Sequence, residues 1–223
     1  MRLALDHLVI AAGTLDEGVA WCEATLGVRP KAGGQHVFMG THNRVFGIAS
    51  EAFPRAYFEI IAIDPGLPAP NRARWFGLDD PALRRLLAKG PQLVHWVARC
   101  DDITAACAEM LAGGIDCGTV EHAERATPHG PLRWQISQRA DGRRPLGGAA
   151  PALIQWTDAH PADNLARSGV VLESMRLGGW PVALATLLPV TVALDRASAA
   201  PPISVVLSGP RGIITLQSTL LEG

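Results

Sequence analysis

One order of structural signals occurs twice in this chain of 223 residues and limits what it can fold into. The first copy starts with the apolar segment LDHLVIAA at residues 5–12. A helix signal follows, beginning at a capping box of Thr14 and Glu17 and ending at Gly27, and three strand-like segments come after it. The second copy starts with PQLVHWVARC, continues with a helix capped by Asp102, and ends in three strand-like segments. Tandem strand–helix–strand–strand–strand units, written βαβββ, predict an α+β fold.

A third and fainter copy of the same order closes the chain. The sequence therefore divides into a first module at 1–66, a linker at 67–90, a second module at 91–163 and a degenerate C-terminal unit at 164–223. In this last unit Leu172 stands where the first two units carry a histidine. The third unit consequently lacks the polar residues of the other two, which predicts a structural role such as covering a sheet edge.

Polar residues occupy equivalent positions in the two clear modules. His7 and His95 each lie seven residues before the start of a helix, and the fourth strands place Glu59 and Gln155 after two apolar residues each. A lone histidine in a strand is usually hydrogen-bonded within the core. The match between the two modules instead favours a metal-capable site, because imidazole and carboxylate groups suit borderline divalent metals.

The quoted segments carry a resemblance to a known superfamily. LDHLVI, YFEII, VHWVA and LIQW resemble the metal-ligand strands of the vicinal oxygen chelate superfamily, which includes glyoxalase I, bleomycin-resistance proteins and extradiol dioxygenases. DHLVIAAGTLDEGVAW, MGTHN, YFEIIAIDP and RWFGLDD resemble the glyoxalase-like domain proteins within it, and the resemblance covers residues 3–161. It implies a cupped, half-open β-barrel with zinc, iron, manganese, nickel or cobalt on its inner surface. The implied ligands are His7, Glu59, His95 and Gln155.

The resemblance also implies an activity. It points to a metal-dependent enzyme acting on a small substrate with vicinal oxygens, as an isomerase, a lyase or an extradiol-type dioxygenase. Glyoxalases usually carry a proton-shuttling glutamate where this chain has Gln155, and glutamine cannot take a proton. Glu59 would then be the catalytic base. The alternative is a metal-free protein that binds a small molecule, as resistance proteins of this fold do, and a structural domain is a third hypothesis.

Further residues are candidates for substrate binding. The segment MGTHNR predicts a polar turn around residues 41–43, between two strands, and His42, Asn43 and Arg44 either shape that turn or line the cup. Trp96 and Trp156 either form an aromatic wall for a ligand or pack in the core.

Net charge and cysteine content limit the classes of binding partner that the sequence predicts. The formal net charge of −1 gives no electrostatic reason to bind nucleic acid or an anionic membrane. No apolar stretch approaches the ~20 residues that span a bilayer. Asp6 and His7 interrupt any signal-peptide core, so we expect a cytoplasmic location. The four cysteines form no C-x-x-C pair. A small molecule is therefore the expected partner, with homodimerisation left open.

Overall fold

A computed structural model describes residues 2–197 and 199–220 of the chain. The described residues of the first module form one α-helix and four strands, in the expected order: β1 (Ala4–Ala11), α1 (Leu15–Leu26), β2 (Lys31–His36), β3 (Thr41–Gly47) and β4 (Tyr57–Ile63). The linker contains α2 (Pro81–Leu87). The second module repeats the order: β5 (Gln92–Arg99), α3 (Ile103–Ala112), β6 (Thr119–Arg125), β7 (Leu132–Gln138) and β8 (Ala152–Trp156).

The two modules share one curled sheet of eight strands that forms a half-barrel. Its strand order is β2-β3-β4-β1-β5-β8-β7-β6, so the modules meet where β1 pairs antiparallel with β5. In each module the first strand pairs parallel with the fourth. The predicted α+β fold of tandem βαβββ modules in a cupped half-barrel is confirmed.

The local helix signals act as the sequence predicts. Thr14 accepts a hydrogen bond from the backbone N–H of Glu17, the side chain of Glu17 accepts one from the backbone N–H of Thr14, and Gly27 ends α1 with a φ of 72°. The predicted turn at residues 41–43 is wrong in position. The reversal is a short 3₁₀ helix at Val37–Met39 closed by Gly40, whose φ of 59° favours glycine. Residues 41–43 therefore belong to β3.

The C-terminal unit keeps the order of elements but not their pairing. It comprises β9 (Val171–Gly178), a 3₁₀ helix (Val182–Leu187), β10 (Val192–Asp195), β11 (Ile203–Gly209) and β12 (Gly212–Gln217). The strands form a separate sheet in the order β10-β9-β11-β12, in which the first strand pairs parallel with the second. Its buried residues, including Leu172, join the same apolar core as α1 and α3. The unit thus covers the convex, helix-bearing face of the large sheet.

The linker fills the concave face of the large sheet. Trp75 and Phe76 are buried in a second apolar core with Met39, Trp134 and residues of α2. Phe76 holds a φ of 58°, a left-handed conformation that a bulky residue rarely adopts without tertiary support. The linker therefore forms part of the interior of the cup and reduces the space there to small cavities. No helix in the described part of the chain is long and apolar enough to cross a membrane.

Candidate functional site

Strand alternation places a set of polar side chains on the concave face. Within β4, Tyr57 and Glu59 face the cup, while Phe58 and Ile60 between and beside them belong to the convex core. The parallel pairing of β1 with β4 sets His7 beside Tyr57, and the two rings stack with centroids 4.6 Å apart. These groups border a cavity of about 40 Å³. A cavity of this size holds about three water molecules or one small ligand group.

His7 and Glu59 form the centre of this cavity. The Nε2 atom of His7 lies 3.4 Å from Oε2 of Glu59, and both side chains are buried. Burial alone would lower the pKa of His7, but the hydrogen bond to Asp6 and the contact with Glu59 outweigh it and raise that pKa to about 9. Burial alone would raise the pKa of Glu59, but the contact with His7 outweighs it and lowers that pKa to about 2. At neutral pH the pair is therefore an imidazolium beside a carboxylate.

Asp6 holds His7 in this orientation from the opposite side. Its Oδ1 accepts a hydrogen bond from His7 Nδ1 at 2.7 Å, and its Oδ2 accepts from Trp156 Nε1 at 3.0 Å and His160 Nε2 at 2.9 Å. The Nδ1 of His160 accepts a bond from the backbone N–H of Ala162, which leaves the proton on Nε2. Asp6 is fully buried. Burial opposes its ionisation, but the bonds from the two histidines outweigh this and hold its pKa below the usual value.

Asn43 orients the carboxylate of Glu59. Its Nδ2 donates to Glu59 Oε1 at 2.5 Å, and its Oδ1 accepts from the backbone N–H of Gly34 at 2.7 Å. His36 also borders the cavity, with its Nδ1 3.1 Å from Thr41 Oγ1. Burial lowers the pKa of His36 to about 4, so this ring is neutral at neutral pH.

Sequence reasoning did not identify Asp6, His36, Tyr57 or His160 as part of the site. Asp6 carries a signal, because it is a second charged residue in a buried strand and needs partners. His160 carries none, since its contact with Asp6 joins residues 154 positions apart.

The structure places Gln155 on the other face of the sheet. Its neighbours Ile154 and Trp156 border the cavity, and by alternation Gln155 points towards α3. There its Oε1 accepts a hydrogen bond from the backbone N–H of Ile103 at 2.9 Å, in the first turn of the helix. Gln155 therefore satisfies a helix end and lies apart from His7 and Glu59.

His95 is also held by a backbone contact. Its Nε2 accepts a hydrogen bond from the N–H of Ala152 at 3.0 Å, and its ring lies 5.2 Å from that of Phe76. Its buried Nδ1 has no hydrogen-bond partner among the described residues. Burial lowers the pKa of His95 to about 3, consistent with a neutral ring. The ring borders a neighbouring cavity of about 30 Å³, distinct from the one at His7.

The four-ligand metal centre implied by the resemblance does not fit these residues. His7 and Glu59 face each other. The Nε2 lone pair of His95 and the side-chain oxygen of Gln155, however, each already accept a hydrogen bond from a backbone N–H group. Over residues 2–197 and 199–220, no group of three or more His, Cys, Asp or Glu side chains is arranged to hold a metal ion.

The predicted substrate-binding residues separate between the two faces. Asn43 and Trp156 border the cavity of His7 and Glu59. His42 and Arg44 alternate with Asn43 along β3 and line an external groove of about 670 Å³. Trp96 is fully buried in the convex core, where its Nε1 donates to the carbonyl oxygen of Ala149 at 2.8 Å.

Comparison with known structures finds proteins that are similar to this chain. A hypothetical protein from Staphylococcus aureus shares 14% identity, covers 98% of this chain and 87% of its own, and superposes with a TM-score of 0.59. Methylmalonyl-CoA epimerase from Mycobacterium tuberculosis shares 19% identity over 70% of this chain and 88% of its own, with a TM-score of 0.39. A Streptomyces coelicolor methylmalonyl-CoA epimerase, in complex with 2-nitronate-propionyl-CoA, shares 21% identity over 71% of this chain and 99% of its own, with a TM-score of 0.41. No curated protein matches the chain.

Paired βαβββ modules joined through their first strands, with polar residues on the concave face, define a vicinal oxygen chelate protein. The family model described as Glyoxalase-like domain matches residues 5–188, and this chain belongs to that family. The resemblance read from the sequence is confirmed.

Proposed function

We propose that this protein is a proton-transferring enzyme of the isomerase or lyase type, acting on a small substrate with oxygens on adjacent carbons. The observation that carries the proposal is the 3.4 Å contact between His7 Nε2 and Glu59 Oε2 beside a cavity. A buried pair of titratable groups with shifted pKa values that borders a cavity is a candidate acid–base site. No step is assigned to a metal ion, because the four implied ligands do not fit one.

Glu59 is the base in this proposal. Its carboxylate removes the proton from the hydroxyl-bearing carbon next to the substrate carbonyl; the electron pair of that C–H bond forms a C=C bond, and the π pair of the carbonyl moves onto its oxygen to give an enediolate. The hydroxyl proton then passes to that oxygen, and Glu59 returns its proton to the former carbonyl carbon, which completes an isomerisation. A carboxylate with a pKa of about 2 is a weak base. A substrate oxygen that accepts the His7 N–H in place of Glu59 removes the contact that lowers this pKa, so Glu59 becomes more basic as substrate binds.

His7 is the group that stabilises the enediolate. Its imidazolium presents one N–H to the cavity because Asp6 accepts the other. In a water-poor site, the attraction between this fixed positive charge and the substrate oxygen grows as negative charge develops on that oxygen. Asp6 is itself held by Trp156 and His160, so His7 is oriented before substrate arrives.

Solvent-proton exchange tests this proposal directly. Dihydroxyacetone, glycolaldehyde and hydroxypyruvate are incubated with the protein in D₂O, and loss of the signal from hydrogens on the carbon beside the carbonyl is followed by proton NMR. We expect exchange above the buffer rate with at least one compound, and a loss of about 10²–10⁴-fold in Glu59→Gln. Glu51→Gln, which changes an exposed carboxylate, is the matched control and keeps the wild-type rate.

A second candidate function is metal-free sequestration of a small aromatic molecule. It is favoured by the aromatic walls of the same cavity, which are Tyr57, Trp75, Phe76, Trp134 and Trp156. Binding that quenches tryptophan fluorescence, together with no proton exchange in any compound and no effect of Glu59→Gln, would replace the enzymatic proposal with this one.

A further inference from the structure

Arg125 lies at the end of the edge strand β6, and no carboxylate among residues 2–197 and 199–220 forms an ion pair with it. Its Nε and Nη1 atoms are buried and have no hydrogen-bond partner among the described residues. Its side chain borders the same cavity as His7 and Glu59. A buried N–H group of a cation that lacks an acceptor is costly, which points to a ligand atom at this position.

The nearby acidic residues are already occupied by other arginines. Glu121 makes two hydrogen bonds with Arg72, and Glu124 accepts a bond from Arg133 at 3.2 Å.

The guanidinium of Arg125 reaches the cavity across the mouth of the half-barrel. β6 and β2 are the two outer strands of the large sheet, yet Arg125 Nη1 contacts Gly34 in β2 so closely that a Cβ added there would overlap it. The N–H of Gly34 in turn bonds Asn43, which bonds Glu59. A chain of direct contacts through Gly34 and Asn43 therefore connects Arg125 with Glu59, the proposed base.

We propose that Arg125 binds a carboxylate group of the substrate, so that the proton-transferring site acts on small carboxylic acids with oxygens on adjacent carbons. This inference rests on the proposed function for the reaction but on Arg125 for the substrate class. The guanidinium group offers planar pairs of N–H donors that match a carboxylate, and the cavity is too small for a bulky anion. A substrate whose carboxylate binds Arg125 would extend from the edge of the second module towards His7 and Glu59 of the first.

Binding of a matched pair of probes tests the inference without turnover. Glycolate and its neutral amide, glycolamide, differ in charge but hardly in size, and binding is followed by tryptophan fluorescence and calorimetry. We expect wild-type protein to prefer glycolate. In Arg125→Gln the dissociation constant for glycolate should rise about 10- to 100-fold while that for glycolamide stays within about threefold. Arg133→Gln, the control on β7, should leave both constants within about twofold.

Two further variants separate the possible outcomes. Arg125→Lys keeps the charge without the planar donors and should give an intermediate affinity for glycolate, provided that its melting temperature matches the wild type. Glu59→Gln should still bind glycolate, so a failure of proton exchange and a failure of carboxylate binding are distinguishable. The inference is overturned if wild-type protein shows no preference for glycolate, or if Arg125→Gln retains that preference.

Discussion

Asp6 and His7 are adjacent in β1, yet the Oδ1 of Asp6 and the Nδ1 of His7 lie 2.7 Å apart inside the protein. Neighbouring residues of a regular strand point to opposite faces, so this contact requires a local irregularity. The pairing of β1 with β5 has one, a register shift between Leu5 and His7. The shift brings a carboxylate beside the imidazole that the cavity uses.

Replacing Asp6 with asparagine should lower the pKa of His7. The substitution removes a negative charge and the strongest acceptor for the Nδ1 proton, and burial then acts with less opposition. We expect the pKa of His7, measured by NMR titration of its ring hydrogens, to fall clearly below the wild-type value of about 9. Because the imidazolium form is proposed to stabilise the enediolate, the alkaline limit of proton exchange should move down with it. Asp158→Asn, on an exposed loop, should change neither value.

The free energy of unfolding should be greatest near pH 6.5, because folding raises the pKa of one buried histidine and lowers the pKa of two others. The folded pKa of His7 is raised to about 9, so its contribution is fully present below about 6.5 and is lost as pH rises through 9. The folded pKa values of His36 and His95 are lowered to about 4 and 3, so their contribution is present above about 6.5 and is lost as pH falls through those values. The His7 shift corresponds to roughly 3 kcal/mol of unfolding free energy.

Urea unfolding between pH 4 and pH 9.5 measures this profile. His7→Gln should flatten the alkaline side of the curve, and His95→Gln should flatten part of the acid side. An alkaline decline that persists unchanged in His7→Gln would assign it to other groups.

Gln155 should be a stability residue and not a functional one. Gln155→Leu removes the acceptor for the Ile103 N–H, and we expect a loss of about 0.5–2 kcal/mol in unfolding free energy. Gln155→Glu keeps the acceptor and adds a negative charge at the start of α3, which should leave stability equal or up to about 1 kcal/mol higher. Denaturant unfolding and the NMR exchange assay check both variants. A tenfold loss of proton exchange in stably folded Gln155→Leu would place this residue in the site after all.

The repeat of local signals made the fold predictable, while pairing register decided the site. Capping at Thr14 and Asp102 depends on residues within one helical turn, so the helices begin where the sequence predicts. His7 and Glu59 converge as expected because their strands are hydrogen-bonded neighbours. Gln155 was aligned with Glu59 by its apolar neighbours, but a displacement of one residue sends a strand side chain to the other face. Two further contacts depend on the curl of the sheet, which no local pattern encodes. They are the hydrogen bond between Asp6 and His160 and the packing of Arg125 against Gly34.

Gly34→Ala should weaken carboxylate binding by displacing Arg125. A Cβ at this position would overlap the guanidinium, and the flexible arginine side chain is the group that can move. We therefore expect the glycolate dissociation constant, measured by calorimetry, to rise roughly tenfold, with little change in melting temperature. Gly47→Ala is the matched control in β3, where the added Cβ meets only ordinary contacts, the nearest at 3.6 Å from the carbonyl oxygen of Ala166. If Gly34→Ala binds glycolate as tightly as Gly47→Ala does, the anion is held somewhere other than at Arg125.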